Sequence, residues 1–100
     1  MYNWYSSKLY YKDGDPLCER TIAIIQKLKI RRPAGNTAGI NMYNMALNPP
    51  VDRGCEFTNV PTIIYHGQKM FEARGDETDE ELERIINYIL DYTSPSNQGI

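Results

Sequence analysis

The sequence contains few cysteines and histidines, which limits the kinds of site it can build. Among its 100 residues there are two cysteines and one histidine. Two cysteines are too few for the disulfide scaffold of a small secreted protein, so we expect a reducing, cytoplasmic setting. Cys18 and Cys55 cannot by themselves hold a tetrahedral zinc ion, and His66 is the only histidine. The sequence therefore predicts no metal site.

Long apolar runs and an excess of charge of one sign are also absent. No uninterrupted apolar stretch approaches the roughly 18 residues of a membrane-spanning helix. Residues 1–7 lack the basic start and the apolar stretch of a signal peptide. With 11 basic and 13 acidic side chains the net charge is −2, whereas a general nucleic-acid binder carries a basic excess. We therefore expect neither a membrane nor nucleic acid in general as a partner.

The composition is that of one small folded domain with a polar tail. Apolar residues make up 41% of the chain and charged residues 24%. A chain of this length buries only about two thirds of its unfolded surface, which is enough for one modest core. Residues 93–100 have almost nothing apolar to bury. We therefore predict a single domain over residues 1–92 and a flexible tail over 93–100.

Local signals in the first part of the chain predict a strand followed by a helix. Lys8–Lys12 has the composition of a short strand, which ends at Asp13-Gly14. Asp15 and Pro16 have the preferences of an N-cap and of the first helical position. Apolar residues at helical spacing then continue the helix to about Leu28.

The rest of the chain predicts three more strands and a second helix. The expected segments are a strand over Ile40–Leu47, a connection with one short helical turn over Asn48–Asn59, a strand over Val60–Tyr65, a tight turn at His66-Gly67 and a strand over Gln68–Ala73. Thr78 and Glu81 have the spacing of a capping box, and an amphipathic helix follows them. The order β-α-β-(short α)-β-β-α predicts an α/β fold with a mixed sheet and helices on both faces.

Two segments resemble the thioredoxin/glutaredoxin family. Tyr10-Tyr-Lys-Asp-Gly-Asp-Pro-Leu-Cys18 is similar to the glutaredoxin pattern Y-S-K-P-G-C-P-Y-C. Asn48-Pro49, Val60-Pro61-Thr62, Gly75 and Leu82 follow one another at the spacings found in thioredoxins. The resemblance covers roughly residues 8–92 and implies a thioredoxin-like fold of glutaredoxin length, with a four-stranded mixed sheet.

The chain departs from the family where the nucleophilic first cysteine should be. The C-P-x-C motif has become Asp15-Pro16-Leu17-Cys18, and a carboxylate cannot form a mixed disulfide. The usual dithiol cycle within this motif is therefore impossible. The helix N-terminus favours a Cys18 thiolate, whereas burial and the Asp15 carboxylate oppose it. In the alternative interpretation neither residue takes part in a reaction: Asp15 is a helix cap and Cys18 is a small buried side chain.

The Val60-Pro61-Thr62 segment resembles the family's cis-proline loop, which faces the active-site motif. The resemblance implies a cis Val60–Pro61 bond that leaves backbone groups of Val60 free to pair with an extended peptide or glutathione. Lys12, Pro16 and Leu17 would complete that binding edge. An ordinary trans proline at a strand start is the alternative.

Cys55 is the only other thiol and lies six residues before Pro61. In this position it could approach Cys18 and replace the missing partner. The alternative, which we expect, is an unpaired thiol in a loop, since Cys18 should point inward.

The resemblance and the altered motif leave two functions open. The first is a thiol–disulfide oxidoreductase of weak or atypical activity, which would act through Cys18, with Cys55 as a further candidate. It would use protein disulfides and would need no cofactor, with glutathione as a conceivable co-substrate. The second is a redox-inactive module that binds a protein partner at the cis-proline edge.

Overall fold

A four-stranded mixed sheet and two helices make up most of the described chain, which in this computed structural model comprises residues 7–32, 39–47, 51–52 and 54–93. The elements in chain order are β1 (Ser7–Tyr11), α1 (Pro16–Ile30), β2 (Ile40–Asn44), β3 (Val51–Asp52), β4 (Cys55–Glu56), β5 (Thr62–Tyr65), β6 (Gln68–Glu72) and α2 (Asp79–Tyr92). Residues 1–6, 33–38, 48–50, 53 and 94–100 lie outside the described part. Asn48-Pro49 and nearly all of the expected tail are among them.

The sheet has the strand order β2-β1-β5-β6, so the first strand of the chain is central. β1 runs parallel to β2 and antiparallel to β5, and Leu9 lies between Met42 on one side and Ile63 on the other. β5 and β6 form an antiparallel hairpin. The predicted mixed sheet of four strands is confirmed.

Both helices begin at the residues that the sequence predicts. Asp15 is extended, and its carboxylate accepts a hydrogen bond from the Cys18 N–H, while Pro16 occupies the first turn of α1. At α2 the Thr78 hydroxyl accepts from the Glu81 N–H and the Glu81 carboxylate accepts from the Thr78 N–H. Each arrangement satisfies N–H groups that a helix start would otherwise leave without a partner.

The predicted tight turn between β5 and β6 is also present. His66 and Gly67 both have positive φ, 53° and 75°. A two-residue hairpin turn that follows the twist of its strands requires such values at both positions, and glycine adopts them without steric cost.

The main core lies between one face of the sheet and both helices. Because both helices cover the same face, the prediction of helices on both faces is wrong for the described residues. Leu9, Ile63 and Phe71 on one face of the sheet pack with apolar residues of α1 and of α2. The neighbouring strand residues Tyr10 and Ile64 point to the other face. There they pack with Phe57, which precedes β5.

The short helical turn expected between β2 and β5 is not seen in the described residues. β3 and β4 form a small antiparallel hairpin instead, with Asp52 opposite Cys55. Gly54 in its turn has a φ of 82°, which is costly for most other residues. Cys55 and Phe57 then reach the second face of the sheet. The described part of this segment thus packs against the sheet where a helical turn was expected.

A buried carboxylate organises the connection from β6 to α2. Glu77 is almost inaccessible to solvent, and it accepts hydrogen bonds from the N–H groups of Arg74 (2.7 Å) and Gly75 (3.1 Å). Burial alone would raise its pKa, but the backbone donors outweigh burial and hold the pKa of Glu77 below its ordinary value. The Arg20 guanidinium of α1 binds the Glu77 carbonyl and the Asp79 carboxylate, and so ties this connection to α1.

The end of α2 differs from the expected start of a flexible tail at residue 93. Thr93 is fully buried, and both its N–H and its hydroxyl donate to the carbonyl of Ile89. The Arg32 guanidinium, just after α1, binds Asp91 and Asn87 near the same end. None of the helices in the described ranges is long and apolar enough to span a membrane.

Candidate functional site

The sequence-predicted site residues other than Cys55 lie on elements that meet at one end of the sheet. Tyr10 is the last residue of β1 that pairs with β5, and its partner is Thr62. In this antiparallel register, Lys12 and Val60 continue the two strands beyond the same end. α1 starts from this end as well, because only three residues separate the end of β1 at Tyr11 from the cap of α1 at Asp15. The altered motif and the proline loop are thus brought to a common edge.

The Asp15 carboxylate is occupied by the helix that it begins. Its Oδ2 accepts a hydrogen bond from the Cys18 N–H at 2.9 Å. Its carbonyl accepts the N–H of Glu19, also at 2.9 Å, as the first bond of the helix. The Asp15 side chain therefore serves as an N-cap, as the sequence predicts.

Cys18 is a buried thiol with little tendency to ionise. Its side chain is 1% exposed, and its Sγ lies 3.4 Å from the N–H of Lys12. Burial raises the pKa of Cys18 to about 11, the Lys12 N–H opposes this rise, and the carboxylates of Asp15 and Glu19 add to it. Since the thiolate is the reactive form, Cys18 is a poor nucleophile at neutral pH.

Accessibility divides the candidate binding residues into two groups. Lys12 and Pro16 are exposed and Val60 is half-buried. Leu17 instead packs in the main core, and Pro61 and Thr62 are fully buried. Only the first group offers side chains to a ligand, so Leu17 and Thr62 support the edge rather than form its surface.

The Val60–Pro61 peptide bond is cis, as predicted. The Pro61 carbonyl accepts the N–H of Ala73 at 3.1 Å, and the Thr62 hydroxyl donates to the Asn59 carbonyl. Within the described part of the chain, the N–H and carbonyl of Val60 make no hydrogen bond. Backbone donor and acceptor groups are therefore open at Val60, beside the exposed side chains.

Glu72 holds the segment that leads to this edge, and sequence reasoning missed it. Its carboxylate accepts the N–H groups of Thr58 (2.8 Å) and Asn59 (3.0 Å) and pairs with the Lys69 ammonium at 2.6 Å. The Lys69 ammonium, followed by the two backbone donors, lowers the pKa of Glu72 to about 2. The one available signal was hairpin register: a two-residue turn at His66-Gly67 places Glu72 close to Pro61.

Cys55 and Cys18 lie in different elements. It is half-buried against the second face of the sheet, beside Phe57, whereas Cys18 lies in the first turn of α1. Both thiols are free. In the described ranges no group of three or more metal-binding side chains comes together.

Comparison with known proteins does not assign this chain to a family. No family model matches it, and no curated protein is similar to it.

Proposed function

We propose that this chain is a thioredoxin-like module that binds an extended peptide of a protein partner beside Val60 and does not catalyse thiol–disulfide exchange. The mixed sheet, the helix directly after β1 and the cis bond before β5 agree with what the resemblance to thioredoxins and glutaredoxins implies. A cytoplasmic setting is part of the same proposal.

The state of Cys18 is the observation that carries the proposal. The only sulfur in the motif is 1% exposed, and its pKa is raised to about 11. Asp15 supplies no second sulfur, and its carboxylate caps α1. A thiol that is neither accessible nor ionised at neutral pH cannot attack a disulfide at a useful rate.

The edge at Val60 retains what peptide binding requires. Its open N–H and carbonyl groups can pair with an extended chain in the manner of an added strand. Lys12 and Pro16 flank it with exposed side chains. The hydrogen bonds from Thr58 and Asn59 to Glu72 order the approach to Val60, which lowers the entropy lost on binding.

One contact favours a second function, a weak glutathione-dependent monothiol oxidoreductase. The N–H of Lys12 lies 3.4 Å from the Cys18 Sγ, and a donor in this position stabilises a thiolate. Glutathione would then be a co-substrate rather than a bound cofactor. The burial of the thiol and the two nearby carboxylates count against this function.

A glutathione-dependent disulfide reduction assay separates the two functions. Wild type, Cys18→Ser and the matched control Cys55→Ser are compared at neutral pH. We expect the disulfide to be reduced no faster with any of the three proteins than in the mixture without protein. Activity in wild type that is lost in Cys18→Ser but kept in Cys55→Ser would establish the monothiol function and reject the redox-inactive one.

Peptide binding is tested by NMR with probes that cannot exchange disulfides. S-methylglutathione and a pool of random linear peptides are titrated into the labelled protein. We expect the amide signals of Val60 and Lys12 to shift, while that of Ile30, at the far end of α1, stays unchanged. Absence of a shift at Val60 with both probes would reject this edge as a peptide site.

A further inference from the structure

The two edge strands of the sheet differ in how they are protected. Natural sheets block edge-to-edge pairing with charges, prolines and bulges. β6 carries Lys69 and Glu72, and a shift in its register with β5 occurs between Ile63 and Ile64. β2 reads Ile-Asn-Met-Tyr-Asn, with no charged residue, no proline and a regular register to β1. β2 thus lacks the features that protect the opposite edge.

β2 also presents apolar surface at its open side. Among the described strands it pairs only with β1, so its other backbone edge has no strand partner there. The Met42 side chain at its centre is 42% exposed, and Leu47, just beyond its end, is 83% exposed. Ile40 and Met42 share the face of the sheet that the two helices cover, since Ile40 packs against the main core.

We propose that β2 pairs with β2 of a second copy of this chain, antiparallel and with the two-fold axis at Met42. In this register Met42 lies opposite its own copy, Ile40 opposite Asn44, and Asn41 opposite Tyr43. Such an interface is isologous, because the same strand supplies both sides. It creates a continuous eight-stranded sheet, and the helices of both copies lie on the same face.

The distribution of charge favours a second copy of the chain as the partner. A two-fold interface places each residue near its own duplicate, so a charge close to the axis would meet a like charge. β2 has none, and its sequence is neutral throughout. The Lys8 ammonium lies over the Tyr43 ring at 5.7 Å, and Lys8 belongs to β1, one strand away from the proposed interface. The pair at Met42 adds apolar contact at the axis.

The size of the interface sets the expected strength. Two five-residue edges with a few side chains bury less than the roughly 1,200 Å² that separates stable complexes from transient ones. The dimer should therefore dissociate in the micromolar range, between about 1 and 100 µM. Its population must rise with protein concentration.

Sedimentation velocity across this concentration range tests the proposal. We expect wild type to pass from monomer to dimer, and Met42→Lys, which places two ammonium groups at the axis, to weaken the dimer at least about tenfold. The neutral Met42→Gln and the distant Tyr88→Lys, at a residue 61% exposed on α2, should still dimerise. A wild type that is monomeric throughout, or a Met42→Lys that dimerises equally well, would overturn the proposal.

Cross-linking checks the register without depending on the charged variant. In a Cys55→Ser background, Met42→Cys brings two thiols to directly opposite positions, where Cα atoms of antiparallel strands lie about 4.5–5.5 Å apart and a disulfide fits. Mild oxidation with oxidised glutathione should yield a covalent dimer rapidly. Asn41→Cys, which faces Tyr43 of the other copy, should cross-link far more slowly. Equal rates for the two variants would reject this pairing.

Discussion

Asp15 combines a structural role with a chemical consequence at a single position. Its carboxylate caps α1 through the Cys18 N–H, and the same negative charge raises the pKa of the Cys18 thiol. The helix start is thus stabilised by a group that also makes the Cys18 thiol harder to ionise. Substitutions at this one residue can separate the two effects.

Removal of the cap should destabilise the protein. Asp15→Ala takes away the acceptor for the Cys18 N–H and should lower the free energy of unfolding by about 0.5–2 kcal/mol in a urea titration. Asp15→Asn retains an acceptor oxygen and should lose less. Asp13→Ala, two residues earlier and exposed, serves as the matched control and should change little. Equal losses in the Asp13 and Asp15 variants would contradict the role of Asp15 as a cap.

Replacement of Asp15 by cysteine should introduce redox activity. Asp15→Cys removes the carboxylate that opposes ionisation and supplies a sulfur at the N-terminus of α1, where thiol pKa values are lowered. The new thiol can attack a disulfide, and Cys18 can then release the product. With dithiothreitol as the reductant that restores the two thiols after each cycle, insulin reduction should be clearly faster than with wild type, and Asp15→Cys combined with Cys18→Ser should lose most of this gain. If the folded variant reduces insulin no faster than wild type, then activity requires more than a cysteine at position 15.

At the level of elements, the sequence predicts those boundaries that depend on adjacent residues. Asp15-Pro16, Thr78 with Glu81, and His66-Gly67 each determine a helix start or a turn through bonds within a few residues. The β3–β4 hairpin was missed because Cys55 and Phe57 are held by the far face of the sheet. Glu72 was missed for a similar reason, since its partners Thr58 and Asn59 lie 14 and 13 residues away.

The bonds from β6 to the segment before Val60 can be tested directly. Glu72→Gln keeps the size of the side chain but removes the charge that strengthens the bonds from Thr58 and Asn59. Hydrogen exchange at these two amides should become faster, while exchange at Leu9 in the central strand should change little. Glu56→Gln, an exposed acid on the neighbouring β4, is the control and should leave both amides protected. Unchanged protection in Glu72→Gln would show that other contacts order this segment.

At the level of the whole molecule, the sequence predicted the sheet but not the placement of its layers. The presence of the strands follows from local residue preferences, whereas the face that a helix covers depends on distant side chains. α1 and α2 share one face because Leu9, Ile63 and Phe71 offer a common apolar surface to both. The gathering of Lys12, Cys18 and Val60 at one end was predicted from the family resemblance rather than from composition or periodicity.

Acid should unfold the molecule through its hydrogen-bonded carboxylates. The pKa of Glu72 is lowered to about 2 and that of Glu77 is also lowered. A lowered pKa in the folded state means that stability is fully present above the unfolded value near 4.5 and is lost as the pH falls toward the folded value. The melting temperature should therefore be constant above about pH 5 and fall as the pH drops below about 4.5. In Glu72→Gln the melting temperature should fall less steeply with decreasing pH. A fall as steep as in wild type would show that Glu72 does not contribute to the acid sensitivity.

The ion pairs between the helices also have a consequence for the timing of folding. Arg20 binds Asp79 and Arg32 binds Asp91, and each pair spans 59 positions of the chain. β1 likewise completes its pairing only with β5, more than 50 residues later. Contacts of such sequence separation form slowly, because a long loop must close first. During synthesis on the ribosome, the central strand therefore waits for residues beyond 60, and the helical layer closes only when α2 has emerged.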